Sequence, residues 1–129
     1  MVIGFKQQFV NPILTGSKIH TIREDKGGRW KAGMTMHMYT GGRFSKEYHQ
    51  FTEHECVSVQ DLFMTYYNGK LEVSVNETLI YGYPEKDNFA VSDGFKDWKD
   101  FESWWIPVLM EHPDRTYKGV LLHWTKFWY

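Results

Sequence analysis

Cysteine is nearly absent: Cys56 is the only one in 129 residues. A lone thiol cannot close an internal disulfide, so the chain reads as a protein of a reducing compartment. No apolar stretch approaches the length that spans a bilayer, and no membrane partner is expected. The opening Met1-Val2-Ile3-Gly4-Phe5-Lys6 has no apolar run ahead of a cleavage site, so the expected location is the cytoplasm. Net charge is small too, at -1, and bulk electrostatics do not advertise a nucleic-acid binder. No repeat, low-complexity tract or linker breaks the chain, which leaves a single domain over residues 1–129. The histidines lack the spaced Cys/His set of a zinc site, His54-Glu55-Cys56 included, so neither a metal nor a cofactor is expected. Gly27-Gly28 and Gly41-Gly42 lack the spacing of a phosphate loop. Cys56 could pair with a histidine as a nucleophile, but it falls in an apparent strand beside Val57 and reads better as a packed thiol.

Aromatic residues are plentiful, at 18%. Large rings fill a small core with few residues, or form surfaces on which bases stack. The charge is also unevenly spread. Residues 17–47 carry seven Lys/Arg against three acids, a net of +4, and the remainder carries -5. A basic first third on an acidic body suits an anionic ligand, or it is a plain surface excess.

Hydrophobic spacing outlines the elements. Val2, Ile3 and Phe5 read as a strand. Phe9 to Thr15 reads as a short helix, with Asn11 as its cap, Pro12 in its first turn and Gly16 as its stop. Thr21 to Arg23 is extended, and residues 24–29 form a polar loop. Met34, Met36 and Met38 alternate as one apolar strand face. Residues 48–64 hold one long strand or two, with Val57, Val59 and Leu62 as core. Asn68-Gly69 is a hairpin turn before Leu71, Val73 and Val75. Trp98 to Met110 has helical spacing with Pro107 near its end, and Tyr117 to Phe127 reads as a closing strand. Many short strands with few helices predict an α+β domain around a small, partly closed barrel.

The chemistry concentrates in Gly16-Ser17-Lys18-Ile19-His20-Thr21-Ile22-Arg23. Side chains two apart on a strand share a face, so Thr21 and Arg23 point together and Lys18 reaches them from the preceding turn. An amine, a hydroxyl and a guanidinium in one place suit a ligand bearing carbonyl or phosphate oxygens. Trp30 beside Arg29 is a candidate to stack on a base, though a tryptophan entering a strand also serves a core. Tyr39 and Arg43, at a strand end, are candidates for the same cleft.

Phe9…Ile13-Leu14-x-Gly16-x-Lys18-x-x-Thr21-Ile22-Arg23, followed by Trp30-Lys31-x-Gly33, resembles the signature of ASCH domains, which have a PUA-like barrel. Phe89-Ala90-x-x-Asp93-Gly94-Phe95-x-x-Trp98-x-x-Phe101 is similar to the family's acidic residue and following helix. The resemblance implies a PUA-like mixed β-barrel with a short N-terminal helix and one longer C-terminal helix. It also implies a cleft for RNA or a modified nucleoside. One branch of the family removes acetate from N4-acetylcytidine with a lysine base, a threonine nucleophile and a glutamate acid. Residue by residue these fall on Lys18, Thr21 and Asp93, with aspartate standing where that branch has glutamate. A side chain one methylene shorter places catalysis in more question than fold, since about 1 Å of misplacement can lower a rate by roughly a hundredfold.

Three functions follow as expectations. The first is recognition of RNA or a modified nucleoside by Lys18, Thr21, Arg23 and Asp93, with Arg29, Trp30, Tyr39 and Arg43 as further ligand contacts. The second is amide hydrolysis of an acylated cytidine, which needs the Lys18 amine brought from its ordinary pKa of about 10.4 toward neutrality. The third is a protein-docking patch made by Trp104, Trp105 and Trp128.

Overall fold

The computed structural model describes residues 1–129. It is an α+β fold whose eight strands form two sheets, not one closed barrel. The smaller sheet has the order β1 (Val2–Phe5), β3 (Thr35–Thr40), β4 (His49–Glu55). Its β1 runs parallel to β3, and β4 pairs antiparallel with β3. The larger sheet has the order β2 (His20–Arg23), β8 (Thr116–His123), β5 (Ser58–Tyr67), β6 (Lys70–Val75), β7 (Thr78–Leu79), all antiparallel. Helices α1 (Val10–Thr15), α2 (Glu85–Ser92) and α3 (Trp98–Met110) complete the chain, and a 3-10 turn over Gln7–Phe9 leads into α1. No helix is long and apolar enough to cross a membrane.

Local chemistry explains most boundaries. Gly16 ends α1 in the left-handed conformation, at φ +88°, which glycine adopts without a Cβ penalty. Asn11 is not the cap of α1; it lies inside the helix, and Phe9 occupies the cap position without a side-chain bond. Asp97 caps α3 by accepting from Asp100 N at 2.8 Å. Helix α3 then buries Trp98, Phe101, Trp105 and Leu109, one face of a 3.6-residue period. Pro107 sits on its exposed side, and the helix continues to Met110.

Residues 48–64 divide into two strands at Cys56 and Val57. In β5 the inward residues are Gln60, Leu62 and Met64. Strand side chains alternate, so Val59 falls on the other face and is only partly buried, while Val57, just before the strand, is exposed. Only Leu62 of the three expected there is core. Helix α2 is an addition to the two expected helices: just Phe89 and Ala90 of its eight residues are buried, too few to set up a period. The core lies between the two sheets and α3, with Met36, Met38, Leu62, Met64 and Phe101 at its centre.

Candidate functional site

The glycine stop of α1 and the start of β2 together place Lys18. Lys18 N donates to Pro12 O at 2.9 Å, folding the chain back over the helix end. Ile19 N donates to Ser92 O at 2.8 Å, which joins the entry of β2 to the end of α2. Asp93, the residue after α2, thereby comes against Lys18 although 75 positions separate them. Gly94 makes the approach possible. Its φ is +101°, and a Cβ there would stand 2.7 Å from Lys18 Cδ and 2.8 Å from Phe9 Cδ1.

Lys18 is buried, and its Nζ donates to His20 O at 2.8 Å and to Asp93 O. It lies 3.8 Å from Asp93 Oδ1 and 4.9 Å from the centre of the Phe9 ring. Burial pulls its pKa down to about 8; Asp93 resists that shift and Arg23 adds to it. A neutral amine has two N–H groups and one lone pair. The two carbonyls take both hydrogens, so the neutral form is fully bonded with its lone pair left over.

Behind Asp93 stands a hydrogen-bonded chain that sequence reasoning missed. Asp93 Oδ1 is 2.9 Å from His20 Nδ1, and His20 Nε2 is 2.8 Å from the Tyr129 hydroxyl. A carboxylate only accepts, so Nδ1 donates to it and Nε2 accepts from Tyr129. Tyr129 is fixed in turn by Gln60, whose Nε2 donates to Tyr129 O at 2.6 Å and whose Oε1 accepts from Tyr129 N at 3.0 Å. Burial lowers the pKa of His20 and raises that of Tyr129, keeping the ring neutral and the phenol protonated. Asp93 Oδ2 makes no hydrogen bond within the protein, and Asp93 lines the cleft described next.

The cleft has a volume of about 320 Å³. Lys18, Thr21, Arg23 and Asp93 all line it, as the motif reading expects. Thr21 and Arg23 stand two apart on β2, and the Thr21 hydroxyl makes no bond within the protein. Arg23 is held by one bond, Nη2 to Gly4 O at 2.7 Å, with its guanidinium 4.8 Å from the Phe5 ring centre. Much of the remaining lining is aromatic. Phe9, Phe95 and Trp104 meet edge to face at 5.5 to 5.8 Å, and Trp105 meets Tyr117 at 5.0 Å. Burial pushes the Tyr117 phenol up to about 12, so it remains a donor at neutral pH.

The other expected contacts lie elsewhere. Trp30 is a core residue and does not line this cleft. Arg29 and Arg43 line a separate groove with Tyr48, and Tyr39 stacks on Tyr48 at 4.6 Å. A positively charged loop and a strand end need not face the same hollow, and here they do not. Trp105 is buried and Trp104 partly so, both in the cleft wall; of the expected docking patch only Trp128 is exposed. The aromatic wall was legible as aromatic spacing on α3, but its contact with β2 was not. No family model matches the chain, and no curated protein and no solved structure matches it.

Proposed function

We propose that this chain is an ASCH-type, PUA-like domain that recognises an acylated or otherwise modified cytidine, free or within RNA, in the cleft between β2 and α3. The observation that carries this reading is the meeting of Lys18, Thr21, Arg23 and Asp93 around one hollow whose remaining lining is largely aromatic. A flat heterocycle stacks on Trp104, the ring of that lining left partly exposed, as aromatic rings stack on any base. Asp93 Oδ2 accepts from an exocyclic amine, while Thr21 and Arg23 donate to ring or acyl oxygens. Titration calorimetry with N4-acetylcytidine tests it. Thr21→Ala and Arg23→Ala each weaken binding by about ten- to a hundredfold, the effect of losing a ligand hydrogen bond, with more for the charged one. Equal affinity in all three proteins overturns the reading.

The depressed pKa of Lys18 favours hydrolysis as a second reading. Thr21 Oγ attacks the acyl carbon, and its proton passes to the Lys18 lone pair. The bond to the exocyclic nitrogen then breaks as Lys18 returns the proton to that nitrogen, which Asp93 Oδ2 holds. Water next releases the acid from Thr21. Asp93 orients the leaving group here, because its other oxygen already accepts from His20. Loss of the acylated chromophore, absent in Thr21→Ala and Lys18→Ala, distinguishes enzyme from binder.

A further inference from the structure

Six of the residues expected to share one cleft, Lys18, Thr21, Arg23, Asp93, Arg29 and Arg43, occupy two hollows that meet at a single strand residue. Gly4 lines the Lys18–Asp93 cleft, and it also lines the neighbouring groove of about 510 Å³ that holds Arg29, Arg43 and Tyr48. β1 is an edge strand, so one flank of Gly4 faces no other strand. Arg23 caps its carbonyl from the cleft side, and Tyr39, its partner on β3, stacks on Tyr48 on the groove side.

Gly4 has no structural reason to be glycine. Its φ is not positive, and a Cβ there would meet nothing within 4 Å. A strand interior is weakened by glycine, and such a glycine often marks a place where another chain or a ligand passes close to the backbone. The groove beyond it is built for negative charge. No carboxylate lies within 4.0 Å of the Arg29 or Arg43 guanidinium. Phe44, beside Arg43, is 98% exposed and carries the guanidinium 6.0 Å from its ring centre. Unpaired arginines beside an open ring match the needs of a single strand: charge for phosphates and a face for a base.

We propose that a single-stranded nucleic acid occupies both hollows at once, with one base in the cleft and its phosphate backbone crossing the edge strand at Gly4 into the Arg29–Arg43 groove. This rests on the cleft being a nucleoside site. The groove then makes the ligand a polymer rather than a free nucleoside, and supplies affinity that the cleft alone lacks.

Fluorescence anisotropy with a short labelled oligocytidylate RNA tests this, beside calorimetry with cytidine and cytidine 5′-monophosphate. The oligomer binds more tightly than either small ligand. The double variant Arg29→Ala, Arg43→Ala lowers oligomer affinity by about tenfold and flattens its dependence on log salt by roughly 1.4, the share of two single-strand phosphate contacts. Cytidine binding is unchanged in that variant. Gly4→Val keeps the wild-type melting temperature yet lowers oligomer affinity, because the new side chain stands in the passage. Cytidine binding without a gain for the oligomer overturns the proposal and leaves the cleft reading intact. Equal affinity for the monophosphate and the oligomer, or no effect of the double variant, likewise overturns it. No binding of the three ligands while N4-acetylcytidine still binds overturns this proposal alone, and no binding of N4-acetylcytidine either overturns the cleft reading itself.

Discussion

Lys18 is the residue on which burial and charge compete most sharply. With its pKa near 8, a fraction of about one in ten is already neutral at pH 7, against roughly one in a few thousand for a free lysine. If the site hydrolyses an amide, kcat/KM rises with pH and levels above about 8, where the amine is neutral; a flat profile from pH 6 to 9 rules Lys18 out as the base. His123 gives a second pH effect, of structural origin. Its Nε2 donates to Gln60 Oε1 at 2.8 Å, while its buried Nδ1 has no partner, so protonation there strands a charge. Its pKa falls to about 4, chiefly by burial and also because of His20. The unfolded chain therefore takes up a proton near pH 6.5 that the folded chain refuses until about 4. Stability falls across that window as pH drops, by on the order of 2 kcal/mol from this group, and is flat in it below pH 4. His123→Gln keeps a donor to Gln60 and removes this loss, as urea titrations at pH 7 and pH 4.5 measure. At this scale strand alternation puts Thr21 and Arg23 on one face, while Asp93 reaches Lys18 through the bond from Ile19 N to Ser92 O. The His20–Tyr129 bond was not legible in the sequence, since nothing local to either residue announces a partner 109 positions away.

An element with a full apolar pattern of its own is legible in sequence, whereas its ends are not: the closing strand stops at His123 rather than Phe127. Helix α3 announces itself by a full apolar face with Asp97 before it. Asp97→Ala removes the bond to Asp100 N and destabilises the fold by about 1 kcal/mol, measured by urea unfolding. Helix α2 has almost no apolar face, and exists because Phe89 and Ala90 find a core and Ile19 N finds the Ser92 carbonyl. The turn after it leaves no room for a side chain. Gly94→Ala combines a positive φ with contacts under 3 Å to Lys18 and Phe9. It costs about 2–4 kcal/mol in the same measurement and displaces the Lys18 stem, so ligand affinity falls with stability. Unchanged stability in Gly94→Ala would contradict the close packing of this turn on Lys18. Strand β5 was misread by parity: Val59 has the β-branched character of a core residue, but Gln60 holds the inward position because it ties Tyr129 to His123.

The molecule as a whole joins two sheets around one core, with the cleft where β1, β2 and α3 approach each other. Alternation and turn residues locate strands, but they do not say that β1 pairs with β3 rather than β2, or that β8 sits between β2 and β5. Those pairings decide which loops face which hollow, and for that reason Arg29, Tyr39 and Arg43 parted from Lys18. The aromatic residues divide between the core and the cleft lining. Trp30 and Trp98 fill the core, and Trp104 and Trp105 wall the cleft. Trp128 lies apart from the cleft and exposed, in a shallow hollow beside Val57, which makes it an internal control. The most direct measurement is an NMR titration of the indole N–H signals with N4-acetylcytidine. Saturable shifts at Trp104 and Trp105, with Trp128 unmoved, are the predicted result. Shifts confined to Trp128, or none at any indole, would contradict a nucleoside site between Lys18 and α3.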